Sequence, residues 1–139
     1  MLGRGDSAWT RILGEPVAST QAWASSAPVL YASFAKRTFT LSNQPNRVAQ
    51  HDVGAASAQI ALQDTALGLY VHGMVGFDPE KFRSAFKVPE DFEPVACWAL
   101  GYRGEPDDLS ERFKQREIEP RQRKPLSDRA FSEWGQPAF

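Results

Sequence analysis

The stretch Val48–Gly76, VAQHDVGAASAQIALQDTALGLYVHGMVG, constrains the chain more than any other. Ala49, Val53, Ala56 and Ile60 recur at i, i+4, i+7 and i+11, one apolar stripe of a helix. Ala58, Leu62, Ala66 and Leu69 make a second stripe on another face, and Asp64 is the only charge between Val53 and Leu69. A helix apolar on more than one side is expected to be buried on more than one side. Gly54, Ala55, Ala58 and Ala61 are small enough to admit another backbone. Gly68 supplies a helix stop. His72-Gly73-Met74-Val75-Gly76 then reads as a glycine-punctuated turn whose backbone can be closely approached. The blander reading of the same pattern is a core helix followed by an ordinary turn.

A length of 139 residues implies one domain, 1–139. A chain of this size buries roughly two thirds of its unfolded surface, so an independent core is feasible. A net charge of −1 argues against a dedicated nucleic-acid binder. Cys97 is the only cysteine, which precludes an intrachain disulfide and fits a reducing compartment. There is no apolar run of about 18 residues, and Met1-Leu2-Gly3-Arg4 does not open a signal peptide. The expectation is a soluble, cytoplasmic protein with neither membrane nor nucleic acid as partner. Two histidines, His51 and His72, are too few for a histidine-rich metal site, and no Cys-x-x-Cys, phosphate loop or Gly-x-Ser-x-Gly elbow occurs. No metal site and no catalytic side chain is therefore singled out, and any chemistry is expected to reside in a bound cofactor.

Around the central stretch the chain alternates between apolar runs and helix starts. Asp6-Ser7 caps a short helix containing Trp9, Ile12 and Leu13, and Trp23 sits on another short helix. Residues 27–34 read as a buried strand. Thr38–Arg47 is a loop with Asn43-Gln44-Pro45-Asn46 as turn chemistry, and the long helix is expected over about 46–69. Asp78-Pro79-Glu80 opens a helix that carries Phe82 and Phe86 and stops near Val88, ahead of Pro89. Val95–Leu100 is a second strand, and a third helix is expected from Pro106-Asp107-Asp108 to about Ile118. The tail holds Leu126, Phe131, Trp134 and Phe139, large apolar groups that suggest docking against a second subunit.

In an extended Arg121-Gln122-Arg123-Lys124-Pro125, the residues 121 and 123 point the same way, and two guanidinium forks suit one phosphate. The alternative is a solvated charge run.

Five segments, in order over residues 23–134, resemble the C-terminal part of the FMN-dependent nitroreductase family. They are Trp23-Ala24-Ser25-Ser26-Ala27-Pro28-Val29-Leu30, the helix from Asp52-Val53-Gly54-Ala55-Ala56 to Ala66-Leu67-Gly68-Leu69, His72-Gly73-Met74-Val75-Gly76-Phe77-Asp78, Ala99-Leu100-Gly101-Tyr102, and Arg121-Gln122-Arg123-Lys124-Pro125-Leu126. The resemblance implies an α+β fold, a mainly antiparallel sheet packed between helices. It further implies a homodimer with the long central helix at its seam and two FMN sites shared between subunits. By position, Gly73, Met74, Val75 and Gly76 would lie against the isoalloxazine ring, their N–H groups at its edge, and Arg121 and Arg123 would hold the FMN phosphate. The implied activity is NAD(P)H-driven, ping-pong reduction of a small-molecule acceptor such as a nitroaromatic or quinone. The family's Arg-Arg-Ser segment and Ser-x-x-Asn-x-Gln-Pro turn lie upstream of where this chain starts. An N-terminally truncated domain is accordingly expected, and the alternative function is a non-catalytic module of the same fold with weak or no flavin binding. Ser42-Asn43-Gln44-Pro45 imitates the second motif at the wrong place and is read as turn chemistry only.

Overall fold

The structure, a computed structural model, describes residues 2–139. It divides into two compact units, one running to Arg103 and the other Gly104–Phe139. The first contains β1 (Leu2–Gly3), α1 (Ser7–Gly14), α2 (Ala18–Ala24), β2 (Val29–Lys36), α3 (Ala49–Ala66), β3 (Tyr70–Met74), α4 (Pro79–Phe86) and β4 (Phe92–Gly101). Its four strands form one antiparallel sheet in the order β1-β2-β4-β3, so the fold is α+β, as expected.

Local chemistry sets the helix ends. Asp6 accepts from the Ala8 N–H at 3.0 Å and starts α1. Asp78 accepts from Glu80 and Lys81 N–H groups, with Pro79 at the first helical position of α4. Lys87 closes α4 in the left-handed region, two residues before Pro89. Gly68, with φ +74°, follows α3 in a conformation that suits glycine. The loop between β2 and α3 turns at Asn43, φ 54°, and is tied down where Thr38 and Lys36 meet Asp91, at 2.7 and 3.8 Å.

One face of the sheet carries the main core. Side chains alternate along a strand. Leu30 of β2, Met74 of β3, and Cys97 and Ala99 of β4 meet Trp9 and Ile12 of α1, Ala24 of α2 and Phe82 of α4. Phe82 is fully buried among Phe34, Phe77 and Phe86, with ring centroids 5.9, 5.4 and 4.5 Å away. Burial of such a ring stabilises by roughly 2–3 kcal/mol. The Trp9 indole donates to the Ala27 carbonyl at 3.2 Å, which satisfies its one polar atom.

The opposite face differs from the expectation. Tyr31 and Trp98, cross-strand partners on β2 and β4, stack 6.0 Å apart and 9° from parallel, and Trp98 Nε1 donates to Ser33 Oγ at 3.3 Å. Of the stripe Ala49, Val53, Ala56 and Ile60, only the first two turn inward. The buried line of α3 continues through Ser57 and Asp64, with Ala61 half-buried, while Ala56 and Ile60 are exposed. The reason is that alanines populate every side of α3, so apolarity alone selects no face. Asp64 comes near enough to Tyr31 for its charge to act on that hydroxyl. The second stripe, Ala58, Leu62 and Ala66, lies exposed in this chain.

Two further expectations are corrected. His72-Gly73-Met74 is strand, not turn, because β3 pairs along Cys97–Gly101 of β4, which gives its backbone hydrogen-bond partners. The helix expected from Pro106 breaks into a single 3-10 turn, Pro106–Asp108, and a separate α5 (Glu111–Ile118) preceded by Ser110, since Leu109 is extended. In this second unit Lys114 pairs with Asp107. Its tail forms a hairpin, β5 (Phe131–Glu133) with β6 (Gln136–Pro137), turning at Gly135 with φ +80°.

Candidate functional site

The residues expected to face a flavin begin inside β3. Gly73 lies opposite Trp98, and a Cβ there would come 2.8 Å from the indole ring, so the indole fills the space a side chain would need. Met74, the next residue, points into the core and is buried. It can offer a ligand only its backbone. The strand ends there, and Val75 and Gly76 are exposed. Their segment is held from the other side. The Val17 N–H donates to the Gly76 carbonyl at 2.8 Å, Pro16 bridges to Phe77, and the Phe77 N–H returns to the Val75 carbonyl at 3.0 Å. The result is a pinned backbone turn with Val75 projecting into solvent at 77% exposure.

Val17 is a residue that sequence reading missed. It lies far from Gly76 in the chain, and nothing in the local pattern marks the contact. His72, on the core-side row of β3, packs its ring against Trp23 at 4.6 Å with a 55° tilt. That contact gives it a local packing role on this edge strand.

Arg121 and Arg123 belong to the other unit, in the irregular segment between α5 and the 3-10 turn Leu126–Asp128. Both are exposed, and Arg123 Nη1 donates to the adjacent Gln122 carbonyl at 3.0 Å. Among the described residues no carboxylate pairs with either guanidinium. Within its own unit, each exposed guanidinium group is a donor of the kind that suits an anion. Among the described residues there is no cluster of three His, Cys, Asp or Glu that would hold a metal ion, and no helix is long and apolar enough to cross a membrane.

Two titratable groups, one on each face of the sheet, are displaced from their ordinary values. Burial pushes the Cys97 thiol up to about 12, with the Glu15 carboxylate adding to the effect. Burial also raises Tyr31, and the charge of Asp64 adds to it. The Tyr31 hydroxyl and Asp64 Oδ2 are both buried without a hydrogen-bond partner. A thiol that stays protonated is a poor nucleophile, so Cys97 is packing rather than chemistry.

Comparison with known proteins adds the family context. No family model matches the chain. A Mycolicibacterium smegmatis protein, an uncharacterized 15.4 kDa protein in the ask 5′ region, is 40% identical over 92 residues. That match spans 66% of this chain and 62% of the relative. Among solved structures, an oxidoreductase containing FMN is 27% identical and superposes with a TM-score of 0.86 over 94% of this chain and 67% of that one. A nitroreductase family protein from Clostridium difficile 630 is 20% identical, with a TM-score of 0.64 over 94% of this chain and 70% of that one. A Desulfovibrio desulfuricans chain solved in complex with FMN is 17% identical, with a TM-score of 0.62 over 95% and 69%. The resemblance carried by five sequence segments is thus matched in three dimensions, and over nearly its whole length this chain has the fold of the FMN-dependent nitroreductase family.

Proposed function

We propose that the protein is an FMN-dependent oxidoreductase of the nitroreductase type, working as a homodimer. The observation that carries this reading is the likeness of 94% of the chain to an oxidoreductase containing FMN. When bound, FMN supplies two-electron chemistry between a nicotinamide donor and an acceptor such as a nitroaromatic or quinone. The chain's own residues bind and orient. The Val75 and Gly76 backbone, braced by Val17, would offer N–H groups to the flavin edge and so stabilise negative charge there. Gly73 and Met74 contribute main chain only. Arg121 and Arg123 would hold the phosphate, an anion suited to a guanidinium fork. No side chain acts as a general acid in this reading.

A second reading is a module that keeps the fold without the flavin. The packing of Trp98 on Gly73 favours it, because that contact accounts for the glycine without any cofactor. One titration separates the two. Purified protein is mixed with excess FMN, dialysed, and examined by visible absorption, alongside the double variant Arg121→Ala/Arg123→Ala. The proposal expects a retained flavin band in the parent protein, bleached by NADH or NADPH. It expects FMN affinity at least about tenfold weaker in a folded double variant, the loss of charged hydrogen bonds of roughly 1.5–3 kcal/mol. No retained flavin would establish the second reading. Equal affinity in the two proteins would remove the arginines from the site.

A further inference from the structure

Two side-chain oxygens stand out where α3 meets the sheet. Their neighbours on that face are satisfied: Trp98 Nε1 donates to Ser33 Oγ at 3.3 Å, and Ser33 Oγ donates to the Ala96 carbonyl at 3.2 Å. The Tyr31 hydroxyl and Asp64 Oδ2 have no hydrogen-bond partner among the described residues, and both are buried. Packing within this chain already seals them, so they offer no surface to a further stretch of polypeptide or to a second copy. What satisfies them lies inside, between β2 and α3.

Asp64 occupies a costly position. It stands in the last turn of α3, where the helix dipole disfavours negative charge, and that turn holds no basic residue. It is only 8% exposed. A buried carboxylate needs donors. Tyr31 is within range of its charge, which adds to the effect of burial in keeping that phenol protonated. A protonated phenol donates and a carboxylate only accepts, so the two groups match. They are not placed for a direct bond to each other. A polar contact just beyond bonding reach is closed by water, and a buried water requires at least two polar partners, which this pair supplies.

The ring that bears this hydroxyl begins a series of contacts leading to the Val75-Gly76 turn. Tyr31 stacks on Trp98, 6.0 Å between centroids and 9° from parallel. The Trp98 indole fills the space beside Gly73, where a Cβ would come 2.8 Å from it. Met74 follows, and then the turn itself, whose Val75 and Gly76 carbonyls accept from the Phe77 and Val17 N–H groups. We infer that Tyr31 and Asp64 form a positioning pair for this turn. The Tyr31 hydroxyl donates to one enclosed water, the water donates to Asp64 Oδ2, and the tie fixes the Trp98 ring on which the end of β3 is seated. The consequence for a ligand rests on the flavin reading given above, whereas the tie is a property of the chain alone.

The test uses the full chain and four variants: Tyr31→Phe, Asp64→Ala, the two combined, and Asp64→Asn. The readout is amide hydrogen exchange at Val17 and Phe77, whose N–H groups bond to the turn, with Phe82 of α4 as reference. Tyr31→Phe is expected to speed exchange at Val17 and Phe77 about fivefold, the loss of one buried hydrogen bond, and to leave Phe82 unchanged. Asp64→Ala should match it, and the double variant should go no further than either, because the pair acts as one. Asp64→Asn keeps an acceptor oxygen and should recover most of what Asp64→Ala loses. A double variant accelerated by the product of the two single effects would overturn the pairing. Equal acceleration at Phe82 would overturn the positioning role, since it would report general loss of stability. A crystal structure of the parent should hold one water within about 3 Å of both oxygens. No water between them would overturn the inference, whether or not the variants fold. In FMN titration, Tyr31→Phe should bind about fivefold more weakly than the parent. A parent that retains no flavin would remove the flavin reading, and the exchange rates would still decide the tie. A parent that binds FMN no better than Tyr31→Phe does would remove the pair from the flavin site.

Discussion

At the scale of single residues, Gly73 and Cys97 show how a position can be explained by packing before any ligand is invoked. Gly73 has an ordinary strand backbone, so its freedom at positive φ is not what matters there. What matters is the indole of Trp98, which a Cβ would approach to 2.8 Å. Trp98 is itself held by Tyr31 and by its bond to Ser33, so it cannot yield as a loose side chain would. Gly73→Ala is expected to destabilise the protein by about 1–3 kcal/mol, the cost of overpacking, read as a lowered denaturation midpoint. An unchanged midpoint would mean that the ring moves freely. Cys97 makes a prediction about pH. Its folded value, about 12, lies above the ordinary 9.0. The fold therefore keeps a proton that the unfolded chain gives up. The associated stability is complete below about pH 9 and is lost as pH climbs towards 12. The urea midpoint should decline across that window, less steeply in Cys97→Ala. Tyr31, also raised, contributes to the residual slope in both proteins.

At the scale of elements, the helices divide into those whose ends carry the signal and one whose faces carry none. α4 is specified locally: Asp78 caps it through two N–H groups, Pro79 sets its first turn, and Lys87 and Pro89 end it. Asp78→Ala should cost about 1 kcal/mol of stability by chemical denaturation, because it removes both cap bonds at once. A variant as stable as the parent would show that tertiary contacts alone hold α4 in place. α3 is the opposite case. Gly68 ended it legibly, yet its inward face could not be read from its alanines. The strand β3 was misread as a turn for a related reason. Two glycines within five residues resemble a turn locally, while the pairing that makes β3 a strand comes from Cys97–Gly101, distant in sequence.

For the molecule as a whole, the exposed row Ala58, Leu62 and Ala66 on α3 and the half-exposed Ile60 form the surface on which a second copy is proposed to rest. Small residues there allow close helix approach. Ala58→Phe should shift sedimentation from dimer to monomer while changing the unfolding free energy of the single chain by no more than about 0.5 kcal/mol, since Ala58 is exposed within one chain. A variant that sediments as the parent dimer would place the seam elsewhere. By itself the sequence determined the α+β class, the helices α1, α3 and α4, the strands β2 and β4, the capped starts and the glycine stop after α3, and the family whose fold the chain shares. Those features are set by neighbouring residues, or by motifs conspicuous in one dimension. Only the tertiary structure decided that Ser57 and Asp64 turn inward, that His72-Gly73-Met74 is paired strand, and that Val17 braces Gly76. These depend on which surfaces meet across the sheet, and no local pattern of side chains encodes the partner.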